Sequence, residues 1–452
     1  MLRRKAWDRL KYWKENLAPH YAALLEGARR VGKSTIAEEF ARENYRSYIK
    51  VDFANIGAEL LSAFDDIANQ DFFFLKLQTI TGITLYRRDS VILFDEIQLN
   101  PRARQAIKYL VADGRYDYIE TGSLISIKKN VKDIVIPSEE HKIPVHPMDY
   151  EEFSWAIGND AYPLLRELYE SNVPVGNAVN RKLMRDFRLY MAVGGMPQAV
   201  QAYVDGKDFS QIDAVKRGII SLYTDDFKKI DGSGLVGRMY RSIPSQLATN
   251  KKKYVISAAT QKRRIDKDDE RLSDLLDSRT VIPCHNTSDP GASLSQTRDD
   301  GTYKLYLADT GLFTTMLFDA SLNAGDNIYS KLLGDKLSAN LGYLYENAVA
   351  QIIASTGREL YYHTWTKEGS THSYEVDFLL QSGTKLLVFE VKSSARKTHE
   401  SLDVFCGKYS RQISEAFIIS QTDVAQEDKI KLRPLYMLPF ILDSCPTHQE
   451  KL

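Results

Sequence analysis

Between Tyr21 and Met148, short apolar runs alternate with stretches whose apolar residues recur at helical spacing, as expected of a parallel sheet wrapped by helices. The runs place strands at Ala22 to Glu26, Tyr48 to Phe53, Ser90 to Phe94, Tyr116 to Glu120 and Lys142 to Val145. From Tyr150 to about Phe227 the apolar positions keep a helical period, and the polar Asp231 to Gly234 breaks it, predicting a hinge. Between Leu235 and Asp309 the order reads helix, basic helix, then two short strands around the turn-rich stretch Asn286 to Gly301. After a helix containing Glu346, the segment Tyr374 to Lys392 reads as two strands joined at Ser382-Gly383, followed by a helix and a strand at Ala416 to Ser420.

A chain of 452 residues has room for about three domains. Lys plus Arg and Asp plus Glu both number 60, so the formal charge is zero and any affinity for nucleic acid or membrane must be local. Cys284, Cys406 and Cys445 lie far apart without zinc-site or disulfide spacing, which fits a reducing cytosol. Met1 to Leu17 lacks the apolar core of a signal peptide and no stretch reaches the roughly 20 apolar residues of a membrane span. The reading is an amphipathic N-terminal helix on a soluble, cytoplasmic protein.

Gly27-Ala28-Arg29-Arg30-Val31-Gly32-Lys33-Ser34 satisfies the P-loop pattern G-x-x-x-x-G-K-[ST] between an apolar strand and a helix. Such a loop, with Thr35 in the following turn, curls so that backbone N–H groups surround phosphate oxygens. Lys33 is expected to reach the β and γ phosphates and Ser34 to ligate Mg²⁺. Val91 to Glu96 reads as a buried strand ending in two acids. Asp95 would hold the metal, while Glu96 would polarise the attacking water or else cap the following turn. Thr121 or Ser123, at the end of the next strand, is the expected polar sensor, with ordinary turn chemistry as the alternative. Arg102 and Arg104 are either arginine fingers for a neighbouring subunit or surface charge.

With those residues placed, the chain resembles a family of bacterial and archaeal AAA-type ATPases that carry a C-terminal domain of unknown function. Besides the P-loop, the resemblance rests on Phe94-Asp95-Glu96-Ile97-Gln98, Thr121-Gly122-Ser123, Val193-Gly194-Gly195-Met196-Pro197 and Tyr223-Thr224-Asp225-Asp226. It continues through Ala308-Asp309-Thr310-Gly311-Leu312, Leu344-Tyr345-Glu346-Asn347, Glu375-Val376-Asp377-Phe378 and Phe389-Glu390-Val391-Lys392. It implies ATP as the nucleotide, with Mg²⁺, and an α/β fold. The implied architecture is a P-loop NTPase domain over residues 1–150, a helical linker or lid over 151–232, a winged-helix-like domain over 233–315 and a small restriction-endonuclease-like α/β domain over 330–452. No second sensor arginine follows the fifth strand, a departure from ring-forming motors that keeps a simpler ATPase switch open.

Asp377 followed, a dozen residues on, by Glu390-Val391-Lys392 resembles the D-x(n)-E-x-K core of restriction-endonuclease-like folds. Strict alternation in a hairpin puts Glu390 and Lys392 on one face, with Asp377 diagonal to Glu390 and Glu375 directly opposite it. Val376, Phe378, Leu387, Phe389 and Val391 would then fill the other face. Two carboxylates so placed can hold Mg²⁺ beside a lysine that orients a water, with Glu346 as accessory acid and Glu375 as alternative ligand. A hairpin with one solvated charged face explains the alternation equally well. Lys251, Lys252, Lys253, Lys262, Arg263 and Arg264 bracket an apolar stretch and suit phosphate contact with DNA, although Asp266, Asp268, Asp269 and Glu270 follow at once. A protein partner or a second copy of the chain is the other kind of occupant considered.

Overall fold

The computed structural model describes residues 2–123, 135–159, 161–249, 252–260, 267–318, 325–336, 341–393 and 399–445. Two compact units emerge, one of Met1–His146 with Asp277–Arg279 and one of Pro147–Leu276 with Thr280–Leu452.

The first unit is built on five parallel strands, β1 (Ala22–Glu26), β2 (Ser47–Asp52), β3 (Ser90–Asp95), β4 (Asp117–Gly122) and β5 (Glu140–Pro144), in the order β2-β3-β4-β1-β5. All six residues of β3 are buried, and so are all six of β4. A strand enclosed on both faces needs an unbroken apolar run, which is what Val91 to Phe94 supplies. The helices are α1 (Lys5–Asn16), α2 (Lys33–Asn44), α3 (Ala58–Ser62), α4 (Gln70–Thr81) and α5 (Pro101–Asp113). Phe73 and Leu77 from α4 and Ile107 and Leu110 from α5 pack on Leu24, Val51, Ile92 and Phe94 of the sheet. Helix α5 starts where it does because the Asn100 side chain accepts from the Ala103 N–H at 3.1 Å and Pro101 occupies the first turn. Helix α1 buries Ala6, Leu10 and Trp13, and just before it Arg4 donates to the Val31 carbonyl at 2.8 Å and the His146 carbonyl at 2.6 Å.

The second unit combines a helical region with one mixed sheet of eight strands. These are β6 (Val281–Thr287), β7 (Arg298–Leu307), β8 (Leu360–Thr366), β9 (Ser373–Ser382), β10 (Lys385–Val391), β11 (Ile413–Ser420), β12 (Ala425–Glu427) and β13 (Ile430–Pro434), ordered β12-β13-β11-β10-β9-β8-β6-β7. This revises the expected winged helix. The β6–β7 hairpin forms, but β6 also pairs in parallel with β8, so the hairpin is the edge of the C-terminal sheet rather than a separate wing. The sequence hides this because pairing across more than 70 residues leaves no local pattern.

The break at Asp231 to Gly234 lies inside the second unit and is tied down. Asp231 accepts from the Leu235 N–H at 3.0 Å, at the start of the helix Leu235–Ala248. The Ala308 to Leu312 motif has a similar packing role. Asp309 accepts from the Gly195 N–H at 2.6 Å and the Leu312 N–H at 2.8 Å, joining two of the segments that carry the family resemblance. Among the described residues no helix is long and apolar enough to cross a membrane.

Candidate active site

The P-loop runs from the C-terminal end of β1 into α2. A Cβ on Gly27 would lie 2.1 Å from the Val145 carbonyl oxygen, so only glycine fits where the loop leaves the sheet. Gly32, at φ +95°, turns the chain through the left-handed region into α2, whose N-terminus has no side-chain cap. The first N–H groups of the helix are therefore presented, with the positive end of its dipole, to whatever sits in the loop. Lys33 is buried, and its ammonium donates to the carbonyls of Gly27 at 3.1 Å and Ala28 at 2.9 Å. Burial pulls its pKa down to about 8, against the upward pull of Glu96 and Asp95.

Because β4 lies between β1 and β3, the end of β4 comes to rest between the P-loop and the two acids. Ser34 donates its hydroxyl to Asp95 Oδ1 at 2.6 Å, and Thr121 donates to the same oxygen. The Thr121 hydroxyl also accepts from the Glu96 N–H at 3.3 Å. On the far side Lys50 of β2 lies 3.7 Å from Asp95 Oδ2 and donates to Glu38 at 2.7 Å. The hydroxyl and carboxylate oxygens of Ser34, Thr121 and Asp95 are the hard donors Mg²⁺ prefers, so the residues present fit that ion. Glu96 has left-handed backbone angles, φ +55° and ψ +47°, and its carboxylate accepts from Gln98.

Ala28, Arg29, Arg30, Val31 and Thr35 all lie on this loop or the first turn of α2, with Arg30 at φ +70°. Ser123 follows β4, but it is Thr121 that reaches Asp95. Arg104 is no arginine finger. It is buried at 1% exposure, and its guanidinium donates twice to Glu140, at 2.8 and 2.7 Å. Arg102 is exposed, 3.5 Å from Asp65. Sequence reasoning missed Lys50, which stands in no motif, and gave Gln98 no role of its own, although it closes the Phe94 to Gln98 motif.

In the second unit Glu346, Glu375, Asp377, Glu390 and Lys392 come together, with details that differ from the expected hairpin. The β9–β10 ladder ends with Phe378 opposite Phe389, so Glu375 is not paired with Glu390 in it. Glu375 pairs instead with Thr364 on β8. The β8–β9 register shifts between Tyr361 and His363, and such an irregularity re-aims side chains and breaks strict alternation. Val376 thus joins Leu379, Leu386 and Val388 in one apolar cluster, while the Phe378 ring lies 5.7 Å from that of Tyr306.

The acids have close partners. Lys304, buried on β7 and absent from the sequence-based reading, sits 2.6 Å from Glu375 and 3.8 Å from Glu346. Tyr306 donates to Glu346 at 3.1 Å, Lys392 to Glu390 at 2.5 Å, and the Val391 N–H to Asp377 at 2.8 Å. Burial, then the charge of Glu390, raises the Asp377 pKa well above the usual carboxylate range, and burial raises Glu390 against the pull of Lys392. Burial alone would lower Lys304, but Tyr306, Glu375, Glu346 and Asp377 outweigh it and raise the lysine. Among the described residues no group of three or more His, Cys, Asp or Glu is arranged to hold a metal ion.

Of the basic residues considered for DNA, Lys251, Lys262, Arg263 and Arg264 lie outside the described residues. Lys253 is exposed, whereas Lys252 is half-buried and donates to the Ser373 carbonyl at 2.8 Å.

Residues 19–154 match the family model described as an AAA domain. Residues 184–323 and 341–438 match two models described as domains of unknown function, DUF8612 and DUF4143. No curated protein matches the chain significantly. Among solved structures, a Walker-type ATPase of Pyrococcus abyssi is similar at 18% identity over 70% of this chain and 96% of its own, with a TM-score of 0.43. Cdc6p from Pyrobaculum aerophilum is 12% identical over 74% of this chain and 93% of its own, with a TM-score of 0.25. The Thermotoga maritima RuvB Holliday junction branch migration motor is 14% identical over 62% of this chain and 87% of its own, with a TM-score of 0.28. Residues 19–154 thus match the AAA-domain model, and their sheet order and loop geometry are those of the P-loop NTPase fold.

Proposed function

We propose that the chain binds ATP and hydrolyses it with Mg²⁺ at the P-loop of the first unit. The observation that carries this reading is the contact of Ser34 with Asp95 at 2.6 Å beside a buried Lys33 held by two carbonyls. The loop N–H groups and Lys33 grip the phosphates, and Ser34 and Asp95 would hold Mg²⁺, which when bound neutralises charge on the phosphate oxygens. Glu96 takes a proton from water as the water oxygen bonds to the γ phosphorus and the bond to the β–γ bridging oxygen breaks, leaving ADP and inorganic phosphate. Thr121 keeps Asp95 and the Glu96 backbone in register. In phosphate-release and calorimetric assays, Glu96→Gln is expected to retain ATP binding and lower turnover about 10²- to 10⁴-fold. Unchanged turnover would remove Glu96 from this role, and absence of ATP uptake by folded wild-type protein would remove the reading itself.

The second unit admits two uses of its acid and lysine cluster. Glu346, Glu375, Asp377, Glu390 and Lys392 gather as a nuclease-like site would require, with DNA held through Lys251, Lys252, Lys253, Lys262, Arg263 and Arg264. A cytoplasmic, nucleotide-dependent switch whose C-terminal region binds a protein partner without cleavage is favoured by the direct pairing of Glu375 with Lys304 and Glu390 with Lys392. Plasmid incubated with Mg²⁺ separates the two. Nicking lost in Asp377→Ala and Lys392→Ala supports cleavage, and equal nicking by all variants or none at all supports the switch.

A further inference from the structure

Gln98 is a buried polar side chain beside Asp95 and Glu96 that the proposed hydrolysis does not use. It is buried at 2% exposure in the single turn Ile97–Leu99, which Glu96 itself caps. Its amide nitrogen donates to Glu96 Oε2, and among the described residues no donor reaches its buried amide oxygen.

A buried amide satisfied on one side only carries the full desolvation cost of its free oxygen. An apolar side chain of similar volume would avoid that cost, so fold stability does not explain a glutamine here. A second cost stands next to it, because Glu96 is a non-glycine residue at φ +55°. Both follow from one requirement, that the Glu96 carboxylate be held at a set angle beside Asp95. The left-handed turn swings the Glu96 side chain out of line with β3, and the Thr121 hydroxyl fixes its N–H at 3.3 Å. The amide of Gln98 then grips the far end of the side chain. Flipping that amide would set its oxygen against a carboxylate, so the nitrogen stays toward Glu96.

We infer that Gln98 is a positioning residue for the proposed hydrolysis, orienting the carboxylate of Glu96 toward the attacking water. This inference rests on the reading of Glu96 as general base. Gln98 acts through its bond to Glu96, so its removal is expected to act on turnover and not on binding.

The test uses the full chain and two variants. Gln98→Met replaces the amide with an apolar group of similar length, and Gln98→Glu keeps the shape but removes the donor. Both are expected to lower kcat by about 10- to 100-fold while leaving KM and nucleotide Kd within about twofold. The thermal midpoint of Gln98→Met is expected to stay level or rise, which separates positioning from a structural role. Adding Gln98→Met to Glu96→Gln is expected to slow turnover no further, because the group it positions is gone. Wild-type turnover in Gln98→Glu, or a fall in kcat matched by a fall in thermal midpoint, would overturn the inference while leaving Glu96 in place. Unchanged turnover in Glu96→Gln would instead overturn the reading on which it rests.

Discussion

The two units each gather acids and lysines but handle the charges in opposite ways. At the P-loop neutral groups hold Lys33, by two carbonyls, and Asp95 Oδ1, by the hydroxyls of Ser34 and Thr121, while Lys50 stands 3.7 Å from Asp95 Oδ2. In the second unit the charges meet directly, Lys304 with Glu375 and Lys392 with Glu390. A site that holds Lys33 by carbonyls and Asp95 Oδ1 by hydroxyls suits a ligand carrying both signs, and magnesium nucleotide is such a ligand. A carboxylate already paired with a lysine gains less from an ion, because the ion must first displace that partner.

The sharpest way to break that comparison is to remove a cation from the acid-rich cluster. Lys304→Met leaves Glu375 without its close partner and is expected to destabilise the second unit by about 3 to 5 kcal/mol. Asp377 and Glu390 already sit above their unfolded pKa values, so the folded state binds the extra proton. Their unfavourable contribution therefore grows as pH rises through the folded values and shrinks on acidification. Denaturant melts at pH 5 and pH 8 should show the larger Lys304→Met deficit at pH 8.

Ser34→Ala tests the P-loop side. Losing one metal donor and its bond to Asp95 should raise the Mg²⁺ concentration for half-maximal turnover by about 10- to 100-fold, read from a metal titration at saturating ATP.

The smallest effect is the pH dependence of binding. Lys33 sits at about 8, below the 10.5 of an ordinary lysine, so between these values the unfolded chain holds a proton that the folded one has lost. Folding stability from this residue therefore rises with pH across that window, while the charge that grips phosphate is lost. Nucleotide affinity should fall by at most about tenfold per unit above pH 8 in calorimetric titrations, and Lys33→Met should be weak and flat over the same range.

Much of the first unit was legible because its signals are local. The five strands show as apolar runs, and β1 matches its expected bounds of Ala22 to Glu26. Glycines and a lysine at P-loop spacing imply their own backbone path, since few other residues tolerate it. Arg104 was not legible in this way. Its burial against Glu140 depends on how α5 lies over β5, and a run of charges reads the same on a surface as in a core.

By itself, then, the sequence determined the parallel sheet, the phosphate loop and the acids that follow β3, because each is written within a few neighbouring residues. Tertiary structure alone decided that Thr121 reaches Asp95 and that β6 and β7 extend the C-terminal sheet. It also decided that Lys304 answers Glu375 and that the Val391 N–H donates to Asp377. Those contacts join segments far apart in the chain, and strand register and the irregularity between β8 and β9 are set by packing that no local pattern records.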